Sequence, residues 1–240
     1  MRFRNLVLSL LFIVLWASSS AAQTEPGQSA IKRGNKKFDS QQYEAAIKEY
    51  RQVPEGSDLS YSQALYNIGV CNYELWHTDE AITFYKKAIA VRSGRYPKAW
   101  YSLAVALEDE GRTAEASEAY REVLNFRDAV YVAAAHYRLG LLAALAGDDV
   151  AATKLFTQAI VSSNDLFPAS HNNLGVMLAR AGRLNEADQE FQKALEQSDG
   201  KLDEATHNHR LCRALINASE SAEIASLRLV AAETGRRLLK

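Results

Sequence analysis

Histidine is the one residue type whose spacing in this chain invites a chemical interpretation. His136, His171 and His207 recur at steps of 35 and 36 residues, and imidazole is a common zinc ligand. If each histidine lies on its own helix of a repeated unit, the three form a row, and neighbouring helices pack about 8–10 Å apart. The preceding unit has Trp100 at the same position, which favours a packing role for the column. We therefore predict no metal site.

No other arrangement of residues points to catalysis. The sequence contains no glycine-rich phosphate loop and no HExxH, GxSxG or CxxC motif. Its acidic residues are dispersed among lysine and arginine, as on solvated helix faces. The formal charge of −1 offers no basic field to nucleic acid or anionic lipid. We predict that the protein is not an enzyme, needs no cofactor and binds no nucleic acid.

The first 22 residues have a different character from the rest of the chain. Arg2 and Arg4 precede an almost continuous apolar run over residues 6–16, and Ser20 and Ala22 supply small side chains at −3 and −1 of a cleavage site. This layout predicts a secretory signal peptide over residues 1–22. An uncleaved anchor is the alternative, although the run is shorter than the roughly 20 residues of a membrane span. We expect a secreted or periplasmic protein with no membrane span after cleavage.

Three columns of residues repeat along the chain with the same period. One column is small, a second is alanine and a third is aromatic, and within each the steps are 35, 35, 36 and 35 residues. The columns are Gly34, Gly69, Ala104, Gly140, Gly175; Ala46, Ala81, Ala116, Ala152, Ala187; and Tyr50, Tyr85, Tyr120, Phe156, Phe191. A fixed period of this length predicts stacked helical hairpins.

Each column has a physical reason in a helical hairpin. Two helices approach closely where neither carries a bulky side chain, so we expect the Gly/Ala column to oppose the alanine column at the crossing, with the aromatic beside it. Gly111, Gly147 and Gly182 fall where the first helix of a unit ends in a left-handed residue. Pro97 and Pro168 begin units three and five, where a missing N–H costs nothing.

These residues resemble the tetratricopeptide repeat (TPR) family. The matching positions are Trp100, Leu103, Ala104, Leu107, Gly111, Ala116 and Tyr120 in unit three, and Leu174, Gly175, Leu178, Gly182, Ala187, Phe191 and Ala194 in unit five. The resemblance implies an all-α, right-handed α-solenoid of about six helix-turn-helix units, with five repeats in residues 23–200. Residues 201–240 are expected to form a degenerate sixth repeat that caps the stack. Its second helix would include Leu227 and Val230, and its helix pair would be wider because Leu211 and Glu223 replace small residues.

The resemblance also implies a concave groove lined by the first helix of each repeat. The residue three before the Gly/Ala column faces this groove: Ile31, Tyr66, Tyr101, Tyr137, Asn172 and Asn208. The three tyrosines form a ladder suited to recognition, or alternatively pack only against the next helix. Further along the same helices the lining changes from acidic Glu74, Glu108 and Asp109 to apolar Leu141, Ala144, Val176 and Ala179. A partner with a basic patch and an aliphatic anchor would complement it.

Asn35, Asn67 and Lys98 match part of the clamp with which one TPR subclass holds a terminal carboxylate. Ile31 and Ser102 replace two of its cations, so we expect no such clamp. The predicted partner-binding residues are therefore Asn35, Tyr66, Asn67, Lys98, Tyr101, Tyr137, Leu141, Asn172 and Val176. Trp76, in a turn where sister repeats have glycine, is a second surface candidate.

The sequence leaves two functions open. The first is an exported scaffold or adaptor that binds a partner protein or an extended peptide in its groove, in cell-envelope assembly or secretion. The second is a self-assembling structural protein that associates through its C-terminal helix, where Ile224, Leu227 and Val230 are apolar. Cys71 and Cys212 are expected to be buried small hydrophobes rather than a disulfide.

Overall fold

The chain folds into a stack of helical hairpins. The computed structural model describes residues 27–56, 58–217 and 224–231, so the predicted signal peptide (1–22) lies outside the described residues. Eleven α-helices occur in the described ranges: α1 Gln28–Asp39, α2 Tyr43–Tyr50, α3 Asp58–Glu74, α4 Thr78–Val91, α5 Pro97–Asp109, α6 Thr113–Val123, α7 Ala129–Leu145, α8 Asp149–Ser162, α9 Pro168–Arg180, α10 Leu184–Gln197 and α11 Asp203–Ile216.

Each helix packs mainly against its neighbours in sequence. The pairs α1–α2, α3–α4, α5–α6, α7–α8 and α9–α10 correspond to the five repeats, and the second helix of each pair packs on the first helix of the next. This consecutive packing confirms the predicted all-α solenoid. Pro97 and Pro168 occupy the first turns of α5 and α9, as predicted. No helix in the described ranges is long and apolar enough to cross a membrane.

The turn inside each of the five repeats contains a residue with positive φ. Gly111, Gly147 and Gly182 have φ of 71°, 80° and 76°, which confirms the left-handed ends predicted for the first helices. Gln41 and Trp76 adopt the same conformation in repeats one and two, with φ of 57° and 66°. A side chain with a Cβ is strained in this region, so these two turns store strain that the glycine turns avoid.

The small column makes room for the aromatic column at the helix crossing. A Cβ on Gly175 would lie 2.6 Å from a ring carbon of Phe191, and one on Gly69 would lie 2.7 Å from the ring of Tyr85 and 3.3 Å from the carbonyl oxygen of Ala81. The ring thus covers the glycine, and in repeat two the backbone of the alanine column also lies against it, as predicted. The alanine column is completely buried, and these tight contacts explain why the three columns share one period.

The C-terminal part of the chain differs from the expected sixth repeat. Helix α11 packs against α10 and α9 as a first helix should, but residues 224–231 do not form a second helix. Ile224–Ser226 is a single 3₁₀ turn, and residues 227–231 have no regular secondary structure. The prediction of a wider sixth helix pair is thus wrong for these residues; Glu223, which was to widen it, lies outside the described ranges.

The cysteines behave as buried apolar side chains. Cys71 and Cys212 are both free thiols and fully buried, in separate apolar clusters at the two ends of the stack. Burial raises the pKa of the Cys71 thiol to about 12 and that of Cys212 to about 11. Neither thiol is therefore ionised at neutral pH, which confirms the structural role predicted for both.

Candidate functional site

The predicted tyrosine ladder lies in the core of the stack. Tyr66, Tyr101 and Tyr137 are 2%, 2% and 6% exposed. Their ring centroids lie 5.7, 5.6 and 5.9 Å from the aromatic column residues Tyr85, Tyr120 and Phe156, respectively. The rings therefore pack within the repeats, and little of their apolar surface is available to another molecule. Their role in binding a partner stays a prediction.

The chain itself occupies the carboxy-terminal half of the predicted groove. Residues 226–230, which we call the tail segment, cross the first helices α11, α9 and α7 in that order. The segment thus runs from the last helix of the stack toward the earlier repeats. It passes over Asn208, Asn172 and Tyr137, the last three members of the predicted groove column. The groove column therefore contacts an extended polypeptide, and this polypeptide belongs to the same chain.

Side chains of the three helices bind the backbone of the tail segment at alternate residues. His207 Nε2 lies 2.9 Å from the carbonyl oxygen of Ser226. The Asn208 amide binds both the N–H of Arg228 (2.8 Å) and its carbonyl oxygen (2.6 Å). Asn173 does the same at Val230, with distances of 2.7 and 3.0 Å. This period of two is that of an extended strand, in which alternate residues face the same way.

Two further donors complete the contacts to the tail carbonyls. Asn172 Nδ2 donates to the Arg228 carbonyl at 3.1 Å, and the Tyr137 hydroxyl donates to the Val230 carbonyl at 2.7 Å. Burial raises the pKa of Tyr137, so its hydroxyl keeps the proton that it donates. The Arg228 and Val230 carbonyls each accept two hydrogen bonds, which satisfies both lone pairs of each oxygen.

The asparagines are held in place by a row of hydrogen bonds among themselves. Asn208 Nδ2 donates to Asn172 Oδ1 (2.9 Å), Asn172 Nδ2 donates to Asn173 Oδ1 (3.1 Å), and Asn173 Nδ2 donates to the Tyr137 hydroxyl oxygen (3.4 Å). A carboxamide has two N–H donors. Each asparagine thus uses one donor within the row and the other on the tail segment. The row fixes the orientation of the amides that bind the peptide backbone.

The side chains of the tail segment differ in burial. Leu227 is 8% exposed and belongs to the apolar cluster that contains the predicted groove residues Leu141 and Val176. Leu229 packs against the same cluster, whereas the Arg228 side chain is exposed. The apolar lining predicted for the later repeats therefore surrounds one aliphatic anchor of the tail.

The amino-terminal half of the groove contains an open polar cavity. Asn35, Asn67 and Lys98 line a cavity of about 260 Å³ together with Tyr66 and Asp39. Asn35 Oδ1 accepts hydrogen bonds from Tyr50 (2.8 Å) and from Asn67 Nδ2 (3.3 Å). Lys98 Nζ lies 4.8 Å from the centre of the Tyr66 ring, and burial lowers the pKa of this lysine. The structure thus brings these predicted residues together, and their partner-binding role stays a prediction.

The middle of the groove is less acidic than its carboxylates suggest. The buried Arg138 guanidinium lies 3.4 Å from Glu108, and the Tyr120 hydroxyl donates to the same carboxylate at 2.7 Å. Asp109 accepts a hydrogen bond from Tyr73. The arginine matches the charge of Glu108, which leaves Glu74 and the exposed Asp109 of the predicted acidic lining.

The three histidines of the row have separate partners. His171 lies between Glu190 (2.6 Å) and the carbonyl oxygen of Asp165 (3.3 Å), and His136 lies 3.4 Å from Ser162 Oγ. His207 contacts the tail segment, as described above. Within the described ranges, no group of three or more His, Cys, Asp or Glu side chains could hold a metal ion.

Trp76 is 76% exposed, in the turn of repeat two, which lacks glycine yet shares its backbone conformation with the later repeats. It therefore presents a large aromatic surface to solvent, and its role as a second contact stays a prediction.

Sequence reasoning missed two parts of this site. Asn173 and His207 lie beside the predicted groove column, and both bind the tail segment. The doublets His171-Asn172 and His207-Asn208 were visible as an echo between repeats, but a repeated polar pair does not reveal that it binds backbone. The tail segment was missed because its apolar residues also fit a helical period.

The geometry defines a helical-repeat protein whose first helices hold an extended peptide. The Tetratricopeptide repeat family models match residues 31–97, 77–130 and 169–196. The chain belongs to the tetratricopeptide repeat family. No match was found among curated protein sequences.

Solved structures with the same fold include three TPR proteins. PilF of Pseudomonas aeruginosa has a TM-score of 0.62 and 17% identity, over 83% of this chain and 94% of that one. MamA has a TM-score of 0.59 and 24% identity, over 75% and 95% of the two chains. YrrB, described as a TPR protein with an unusual peptide-binding site, has a TM-score of 0.58 and 18% identity, over 77% and 92%. At these identities the likeness concerns the fold.

Proposed function

We propose that this protein is a scaffold that binds extended segments of partner proteins in the groove formed by its first helices. The observation that carries the proposal is the tail segment, whose backbone is bound at Arg228 and Val230 by three asparagines and Tyr137. Hydrogen bonds to backbone groups do not depend on the identity of the bound side chains. A groove built in this way suits a partner segment in extended conformation.

The tail segment is then an internal occupant that a partner has to displace. A tethered segment has an effective concentration on the order of millimolar, so a free peptide with the same contacts competes poorly at micromolar concentration. Each hydrogen bond contributes only about 0.5–1.5 kcal/mol net, and the segment can therefore leave without unfolding the repeats. A partner can bind only when the tail is released, so partner binding shifts the population toward the released form.

We further propose that the protein acts outside the cytosol, in cell-envelope assembly or secretion. The support for this location is the signal-like pattern of the first 22 residues. Fractionation of cells that produce the full chain, with N-terminal sequencing of the product, tests it. We expect a periplasmic protein that begins at Gln23; a cytosolic protein that retains residues 1–22 would contradict the proposal.

The groove-binding function is tested by capture of partners from a cell-envelope extract with the wild-type full chain and three variants of it. Leu227→Asp disfavours the docked tail and should increase the yield of a partner over the wild type. Adding Asn173→Ala and Asn208→Ala to this variant should abolish the gain. Adding instead Asn125→Ala, an exposed asparagine that follows α6 and lies outside the first helices, gives the matched control and should preserve the gain. Equal recovery by all forms would exclude the carboxy-terminal groove as the binding surface.

The alternative of self-assembly through a C-terminal helix has less support. Residues 224–231 are not helical, and Leu227 is buried in the groove of its own chain. Exchange of the tail between two copies would use the same contacts, so sedimentation at several concentrations separates the two ideas. We expect a monomer whose mass is independent of concentration; a dimer that Leu227→Asp dissociates would favour exchange.

A further inference from the structure

The contacts of the tail segment show which side chains the groove accepts as well as which backbone conformation it binds. Its backbone contacts fall on residues 228 and 230, so these two residues turn their N–H and carbonyl groups toward the asparagine row. The side chain at 227 enters the apolar cluster of α7 to α11, and the one at 229 packs at its edge. The side chain at 228 is exposed. The groove therefore buries the side chain at 227 and leaves the neighbouring side chain at 228 in solvent.

We propose that the groove selects partner segments with the pattern leucine–any residue–aliphatic, bound so that the chain runs from α11 toward α7. This inference rests on the proposed function and specifies the kind of segment that the groove accepts. The tail sequence Ser226-Leu-Arg-Leu-Val230 is the chain's own copy of this pattern. A partner enters by presenting the same pattern in a segment that is free to extend.

The anchor position is the most selective one for a physical reason. Leu227 lies among the side chains of Val176, Met177 and Cys212 in one buried cluster. Interiors of this kind are close-packed, so a smaller residue leaves a void and a charged residue loses its hydration. The adjacent position 228 faces solvent and accepts any side chain, provided that its N–H is present to donate to Asn208.

The direction in which the bound segment runs follows from the order of its contacts. Ser226 lies at His207, Arg228 lies between Asn208 and Asn172, and Val230 lies between Asn173 and Tyr137. A segment bound in the opposite direction would exchange the positions of the N–H and the carbonyl group at each bound residue, so these groups would no longer face their partners on Asn208 and Asn173.

The experiment measures the affinity of fluorescent peptides for the full chain carrying Leu227→Asp, which leaves the groove open. The probe is a synthetic peptide with the sequence of residues 224–240. Replacing its leucine anchor by alanine should weaken binding about thirty-fold, and N-methylation at the valine that corresponds to Val230 about ten-fold. Replacing the arginine next to the anchor by alanine should change the affinity less than two-fold. Exchanging the leucine anchor and the arginine, which brings the arginine to the apolar cluster when the backbone is bound, should abolish measurable binding.

A second variant keeps the test valid if Leu227→Asp fails to fold. Arg228→Pro removes the N–H that donates to Asn208 while changing only an exposed side chain, so it opens the groove without altering the apolar cluster. Both variants should give the same ranking of peptides. Binding that is indifferent to the leucine anchor, or that depends more on the arginine, would overturn the proposed pattern alone. Failure of every peptide to bind either variant would instead overturn the proposed function.

Discussion

The amino-terminal and carboxy-terminal halves of the groove present residues from the same position of the first helices, but these residues have different roles. In repeats two to four the groove column holds Tyr66, Tyr101 and Tyr137, whose rings are buried against the aromatic residues of the second helices. In repeat five and helix α11 the same column holds Asn172 and Asn208, which bind the backbone of the tail segment. The groove column thus carries tyrosine in the half that is packed and asparagine in the half that holds a peptide.

The difference shows how side-chain size decides what a repeat surface can bind. The hydroxyl of Tyr66 is 3.2 Å from Ser102 Oγ in the next repeat, so its polar atom is used between repeats. Asparagine is shorter and carries two N–H donors. One donor serves the row of asparagines and the other reaches outward. Tyr137 lies at the boundary, since its ring packs like a tyrosine of the ladder while its hydroxyl binds Val230.

Leu227→Asp should have the largest effect on the tail segment. A carboxylate in an apolar cluster costs several kcal/mol, and the apolar contacts of the leucine are lost as well, so the tail segment should leave the groove. We expect hydrogen exchange at the amides of Arg228 and Val230 to accelerate on the order of 100-fold or more, measured by NMR. Arg228→Ala alters an exposed neighbour and should leave the exchange at Val230 within a few-fold of the wild type. Similar rates for both variants would mean that the anchor does not hold the segment.

Asn173→Ala should have the next largest effect. It removes the two hydrogen bonds to Val230, which at about 1 kcal/mol each amounts to roughly thirty-fold faster exchange at this amide. Asn67→Ala, the substitution at the same register in repeat two, should leave that rate unchanged. A comparable acceleration from Asn67→Ala would show that general loosening of the stack, rather than a lost contact, controls the tail.

Tyr137→Phe removes a single hydrogen bond to the Val230 carbonyl. The expected loss is about 1 kcal/mol, which corresponds to roughly five-fold faster exchange at Val230. Tyr66→Phe removes the contact with Ser102 and should change only the free energy of unfolding. If the two variants affected the tail equally, the distinction between the packed and the peptide-holding halves would fail.

Trp76→Gly should have the smallest effect, and it lies in the amino-terminal half alone. Glycine adopts the positive φ of this turn without strain, so we expect the free energy of unfolding to rise by about 0.5 kcal/mol. Urea denaturation measures the change, and exchange in the tail segment should not respond. A loss of stability would show that contacts of the exposed ring outweigh the strain of its backbone.

The repeat architecture could be predicted from the sequence because one period recurs in three residue types. Gly111, Gly147 and Gly182 gave the turns, and the aromatic column gave the second helices. The direct contact between glycine and ring was not predicted, because the spacing alone does not show which of two neighbouring side chains covers a gap. The tail segment could not be predicted. Leu227 and Val230 suit a helix and an extended strand in a groove equally, and the choice depends on Asn173 and Asn208, which come together with them only in the folded chain.

The most direct test of the account is residue-resolved amide exchange in the wild-type full chain. If the asparagine row binds alternate backbone groups, the amides of Arg228 and Val230, whose N–H groups donate to Asn208 and Asn173, should exchange much more slowly than the amide of Leu229 between them. Equal rates at all three residues, close to those of an unfolded peptide, would contradict the claim that this half of the groove holds an extended polypeptide by its backbone.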